Sequence, residues 1–74
     1  MDSTDIDVRG LACPEPLLAF TKAIADSNVG KVVIRFDCGA AKDNISRAAA
    51  SSGWLVEDVQ EAPDHTVMIL TRRS

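Results

Sequence analysis

Cys13 stands between a glycine and two prolines, in the stretch Asp7-Val8-Arg9-Gly10-Leu11-Ala12-Cys13-Pro14-Glu15-Pro16-Leu17-Leu18. Proline fixes φ and lacks an N–H, so it is tolerated in the first turn of a helix and rarely further in. Pro14 and Pro16 therefore mark a helix start, with Leu17 and Leu18 opening its apolar side. A residue before proline is pushed out of the α region. Cys13 is thus expected in extended backbone at the mouth of the helix, its sulfur near the positive end of the dipole. The two prolines also remove two N–H groups there and leave the Glu15 N–H as a free donor. Dipole and hydrogen bond both favour a thiolate. The Glu15 carboxylate opposes it by like-charge repulsion, which predicts a thiol only moderately acidified. The bland alternative is a buried, inert cysteine, the usual fate of a free one. That alternative fits badly in a turn with no periodic apolar company.

Cys38 follows an apolar strand and precedes a second helix. A semi-buried small residue and a second reactive thiol are both open readings. Both cysteines fall in strand-to-helix connections, so one end of a sheet can hold the two. A disulfide requires Cα atoms within about 7 Å, which spacing alone leaves open. The motif is CPxP rather than CxxC, so the adjacent redox pair of thioredoxin-like proteins is absent. Asp7 and Arg9 flank the turn before Cys13. They read either as a surface ion pair worth at most about 1 kcal/mol or as a device that holds the turn and offers positive charge to sulfur. Gly10 is a backbone requirement of that turn. Lys42 and Arg47 read as a solvated helix face, with a docking patch as the lesser alternative. His65 lies in a polar turn with nothing in the sequence to pair it with Cys13. No Cys/His cluster has structural-zinc spacing, and no phosphate loop or dinucleotide fingerprint is present. Neither a metal nor a cofactor is expected.

The elements that must position Cys13 follow from periodicity. Asp5-Ile6-Asp7-Val8-Arg9 alternates as a half-buried strand, with Ile6 and Val8 inward. A helix is predicted from about Pro16 to Asp26, with Leu17, Phe20 and Ile24 on one face. Ala19 and Ala23 let that face approach a sheet. Its stop lies in Ser27-Asn28-Val29-Gly30, with Asn28 or Gly30 suited to a left-handed residue. Residues 31–37 form a central, β-branched strand. The facing of its end is open, because Val33 and Phe36 differ in parity. A second helix runs from about Ala41 to Ser51, anchored by Ile45, Ala48 and Ala49 and ended by Gly53. Residues 54–60 and 66–71 are strands joined by a turn at 62–65. Residues 1–4 and 72–74 are expected to be frayed and solvated. The order β-α-β-α-β-β predicts an α/β (α+β) two-layer sandwich, a four-stranded mixed sheet with two helices on one face. Strands one and two should be parallel if adjacent, and the last two an antiparallel hairpin.

Composition narrows the function classes. Seventy-four residues make one small domain, burying only about 60% of its unfolded surface. The acidic start Met1-Asp2-Ser3-Thr4-Asp5 is no signal peptide. Runs such as Val67-Met68-Ile69-Leu70 fall far short of the ~20 residues a membrane span needs. A cytoplasmic protein with reduced thiols is expected. Eight basic against eleven acidic residues give a net charge of −3. Attraction to phosphate drives nonspecific nucleic-acid binding, so direct binding is not expected.

The run Arg9-Gly10-Leu11-x-Cys13-Pro14-x-Pro16-Leu17 resembles the signature of the TusA-like (SirA/YedF) small sulfurtransferases. Asp37, then Ala40-Ala41-Lys42-Asp43-Asn44-Ile45-Ser46-Arg47, then Gly53 and an aromatic residue, is similar to the YedF branch linked with selenium metabolism. The resemblance spans nearly the whole chain and implies the same two-layer fold. It also implies a sulfur carrier that takes sulfane sulfur as a persulfide on Cys13, as an enzyme or as a stoichiometric carrier. The implied donor is a cysteine desulfurase or another persulfide source, and the acceptor a downstream sulfur- or selenium-handling protein. Pro14, Glu15, Pro16, Arg9, Gly10 and Asp7 would support Cys13. Two rivals stay open: a thiol redox protein cycling Cys13 and Cys38, and a non-enzymatic docking or regulatory module.

Overall fold

The computed structural model describes residues 2–10, 15–26 and 28–72. Along the chain run β1 (Asp2–Asp7), α1 (Glu15–Ile24), β2 (Val29–Phe36), α2 (Ala41–Ser51), β3 (Trp54–Glu61) and β4 (Thr66–Arg72). The strands form one mixed sheet in the order β1-β2-β4-β3. β1 lies parallel to β2, and β4 runs antiparallel to both β2 and β3. The expected element order, parallel pair and terminal hairpin are all present.

Alternation in β2 sets the core. Val32, Ile34 and Phe36 are buried, so Val33 and Arg35 point to the opposite face. That resolves the parity of the strand end in favour of Phe36. Met68 and Leu70 of β4 join them, covered by Phe20 of α1 and by Ala41, Ile45 and Ala49 of α2. Fully burying a side chain of the size of Phe20 or Ile45 contributes roughly 1.5–3 kcal/mol. Alanines 19, 23 and 48 pack partly buried against this cluster. They let the helices come close to the sheet, as their small size predicts. Val8 is buried and Ile6 packs against the core, both as expected.

The observed boundaries differ where pairing overrides local pattern. β1 begins at Asp2, because the start of β2 at Val29 offers it a partner. Polar residues without an apolar rhythm are thereby drawn into the sheet. In β3 the register shifts between Val56 and Asp58, the two-against-one count of a bulge. The turn after α1 uses neither Asn28 nor Gly30 as a left-handed residue. Among the described residues only Gly10 and Gly53 have positive φ. Asp26 closes the turn instead: its Oδ1 accepts from the Asn28 N–H at 3.0 Å, and its carbonyl accepts from the Val29 N–H at 3.1 Å. Gly53, at φ +77°, follows α2 as predicted.

Arg72 is not a solvated end residue. Its guanidinium donates to the carbonyls of Val29 (Nε at 3.0 Å, Nη2 at 2.9 Å), Asp26 (3.1 Å) and Ile24 (3.4 Å). It also lies 4.8 Å over the ring of Trp54, which meets Phe20 edge-on at 6.1 Å between centroids. A cation at the carbonyl end of a helix is favoured by the dipole. One side chain thus joins the end of α1, the start of β2 and the start of β3.

Candidate functional site

Parallel neighbours send their outgoing connections from the same end of a sheet. β1 ends at Asp7 and β2 at Phe36, so the segments leading to α1 and α2 leave side by side. Phe36 pairs with Thr66 across β2 and β4, which brings the turn at 62–65 to that end as well. Asp7, Arg9, Gly10, Asp37, Cys38, Asp64 and His65 therefore share one rim. Cys13 and Pro14 belong to the same connection but lie outside the described residues.

Asp7 and Arg9 form a forked pair. Asp7 Oδ1 accepts from Arg9 Nε at 2.9 Å and Oδ2 from Nη2 at 2.8 Å, while Oδ1 also accepts from the Arg9 backbone N–H at 3.2 Å. The backbone bond makes this a turn-holding contact and not only a surface ion pair. The Arg9 hydrogen bonds hold the Asp7 carboxyl below the usual carboxylate range, and Asp7 in turn raises the Arg9 guanidinium. A carboxylate whose pKa is lowered on folding contributes above its unfolded value, near 3.8, and its contribution is lost as pH falls through the folded one. The fork therefore stays ionised throughout the neutral range. Arg9 is already matched by Asp7, with Asp64 and Asp37 also close enough to favour its charge. This geometry supports holding the turn over lending free positive charge to sulfur.

Gly10 adopts φ +84°, and its N–H donates to Asp37 Oδ2 at 2.8 Å. That bond ties the connection after β1 to the connection after β2. A Cβ on Gly10 would meet no atom within 4 Å, so the demand for glycine is conformational. Gly10→Ala is expected to lower stability by about 1–2 kcal/mol, the cost of a left-handed L-residue. Gly39 has equal room but no positive φ, so Gly39→Ala should be within about 0.5 kcal/mol of wild type. Urea midpoints of the two variants check the contrast.

Glu15 is the first residue of α1 and exposed, and Pro16 behind it is buried. Pro16 thus anchors the helix start in the core, more than its role as a helix signal implied. Cys38 is half-buried against the core, its carbonyl accepts from the Ala41 N–H at 3.1 Å, and its sulfur is disulfide-bonded. His65 Nδ1 lies 2.7 Å from Asp64 Oδ1, and this contact lowers the Asp64 carboxyl. Lys42 pairs with Glu61 at 3.2 Å with both side chains open to solvent, and Arg47 is exposed. These match the solvated-face reading.

Sequence reasoning did not assign Asp37 a role, although it quoted the residue. A carboxylate placed directly after an apolar strand and before a cysteine was the available signal. Its partner, Gly10, lies 27 residues away, so only the pairing of β1 with β2 reveals the bond.

The family model for sulfurtransferase TusA matches residues 4–72. Among curated proteins, TsuB of Escherichia coli (strain K12), described as a candidate sulfur carrier protein, is 33% identical over 70 residues. That alignment covers 93% of this chain and 93% of TsuB. Among solved structures, a SirA-like protein from Desulfitobacterium hafniense is similar in fold, with a TM-score of 0.82 at 22% identity. The match covers 96% of this chain and 99% of that one.

Proposed function

The chain belongs to the TusA sulfurtransferase family, and from that premise we propose that it carries sulfane sulfur as a persulfide on Cys13. A thiolate attacks the outer sulfur of a donor persulfide, and the donor thiolate leaves. An acceptor then attacks that outer sulfur and frees Cys13. This is the displacement logic of thiol–disulfide exchange, in which the thiolate serves as nucleophile and later as leaving group. The donor is a cysteine desulfurase or another persulfide source. The acceptor is a downstream protein that handles sulfur or selenium. The reaction takes place in the cytoplasm, where thiols stay reduced.

The observation that carries this reading is the braced turn three residues before Cys13. Asp7 and Arg9 clamp it and Asp37 holds the Gly10 N–H. Gly10 supplies the left-handed step and Pro16 the buried first turn of α1; Pro14 and Glu15 are the further supports that the reading assigns to Cys13. In this reading these residues present sulfur and leave proton transfer to the reacting thiols.

The test is to incubate the reduced protein with a cysteine desulfurase and cysteine, then record its intact mass. The expected product is heavier by one sulfur atom, and reductant removes the increment. A chain that gains no reducible sulfur under these conditions, or from inorganic polysulfide, sinks the reading.

A further inference from the structure

We propose that the free edge of β3 is a docking edge, on which an extended, cationic segment of a partner protein pairs as a fifth strand. The inference goes beyond the carrier reading and does not rest on it.

β3 is the outermost strand on one side of the sheet, so one side of its backbone has no strand partner. It is eight residues long, and its Leu55 and Val56 are 51% and 38% exposed. The opposite edge differs. β1 holds no large apolar side chain in the open, and its Asp5 and Asp7 pair with Arg35 and Arg9. Charged edges resist further pairing, whereas a long edge with exposed apolar side chains is a template for it.

Charge selects the occupant. Glu57 and Asp58 stand at the middle of β3 and form no ion pair among the described residues. A second copy is therefore disfavoured. Two antiparallel β3 strands overlapping along their full length set Glu57 of each against Asp58 of the other, and like charges directly opposite destabilise a pair. The complement is a segment with lysine or arginine at those positions and apolar side chains for Leu55 and Val56. Main-chain bonds then supply affinity, and the alternate side chains supply specificity.

Asp58 also guards the edge. Its Oδ1 accepts from the Val59 N–H at 2.9 Å, and its Oδ2 from Gln60 Nε2 at 3.1 Å. A cation opposite Asp58 draws the carboxylate outward and frees the Val59 donor for the partner's carbonyl. The bulge between Val56 and Asp58 divides the edge, so the new ladder forms along 58–61 and apolar contact at 55–56. Glu61 pairs with Thr66, and Thr66 with Phe36, which brings the end of β3 to the rim of the Gly10 turn. Three strand spacings, about 14 Å, separate β3 from β1 there. A partner held on this edge stands beside the rim without covering it.

The probes are a fluorescent eight-residue peptide alternating lysine with valine, and its glutamate counterpart. Anisotropy measures affinity, and amide shifts and hydrogen exchange map the contact. The lysine peptide should bind, shift the amides of 54–61 and slow exchange at the Val59 N–H, while the glutamate peptide should not bind. Asp58→Lys should weaken binding about tenfold, and Leu55→Ser should also weaken it. Asp43→Lys changes the net charge equally at an exposed position on α2, and should keep wild-type affinity. All three substituted side chains are exposed, and circular dichroism confirms that each variant is folded. An Asp43→Lys chain weakened as much as Asp58→Lys reduces the attraction to overall charge and overturns the inference. Shifts confined to β1 or the helices, no binding of the lysine peptide, or a wild-type dimer in sedimentation that Leu55→Ser dissociates would each overturn it too.

Discussion

Replacing Cys13 by serine is expected to cut desulfurase-dependent sulfur loading by about a hundredfold or more, because the thiolate is the nucleophile and a hydroxyl is far less ionised. The fold should survive, since the change is a single atom. Circular dichroism and the urea midpoint therefore serve as controls, and intact mass is the readout. Cys38→Ser should still take up sulfur. This contrast separates relay from its two rivals. A redox protein cycling both cysteines loses function with either substitution. A docking module keeps its function in the Cys13→Ser variant, whatever the mass readout does. Sulfur uptake by Cys13→Ser at the wild-type rate would move the chemistry elsewhere in the chain.

Arg72→Ala is expected to be the most destabilising change outside the apolar core, at about 2–3 kcal/mol. Hydrogen bonds from a charged group contribute about 1.5–3 kcal/mol net, and stacking of a cation on an aromatic ring adds roughly 0.5–1. The side chain donates to three carbonyls and lies over Trp54. Losing it leaves the carbonyls of Ile24, Asp26 and Val29 without those donors and opens one edge of the Trp54–Phe20 pair. In a chain of 74 residues this corresponds to a fall in Tm of roughly 10–20 °C. Arg72→Lys keeps the charge but loses the planar fork and the stack, so it should recover only part of the loss. A thermal melt of the three proteins measures this order. Equal Tm values for wild type and Arg72→Ala would show that the carbonyls are equally well satisfied by water. Sulfur loading at low temperature should be retained in both variants, because Arg72 lies at the sheet end away from the Gly10 turn.

Much of this molecule is written in local pattern. The alternation at Ile6 and Val8, the β-branched run 32–34 and the spacing of Phe20 with Ile24 each specify an element within a few residues. The order of those elements then limits the sheet to a few arrangements. The helix start marked by Pro16 is equally local, because the restrictions that proline imposes act on itself and its immediate neighbours. Gly53 could be read for the same reason.

The sequence by itself determined which segments become strands and helices, since dihedral preference and apolar rhythm act over a few residues. Only the tertiary structure decided that β4 inserts between β2 and β3, that Phe36 points inward, and that β1 starts at Asp2 opposite Val29 of β2. It also decided the long-range polar bonds, Gly10 to Asp37 and Arg72 to the end of α1. Those bonds join residues 27 and 48 positions apart, and a polar side chain carries no periodicity that names its partner. Strand pairing brings such groups within hydrogen-bonding distance, and satisfying the backbone groups left at turns and helix ends then selects the contact.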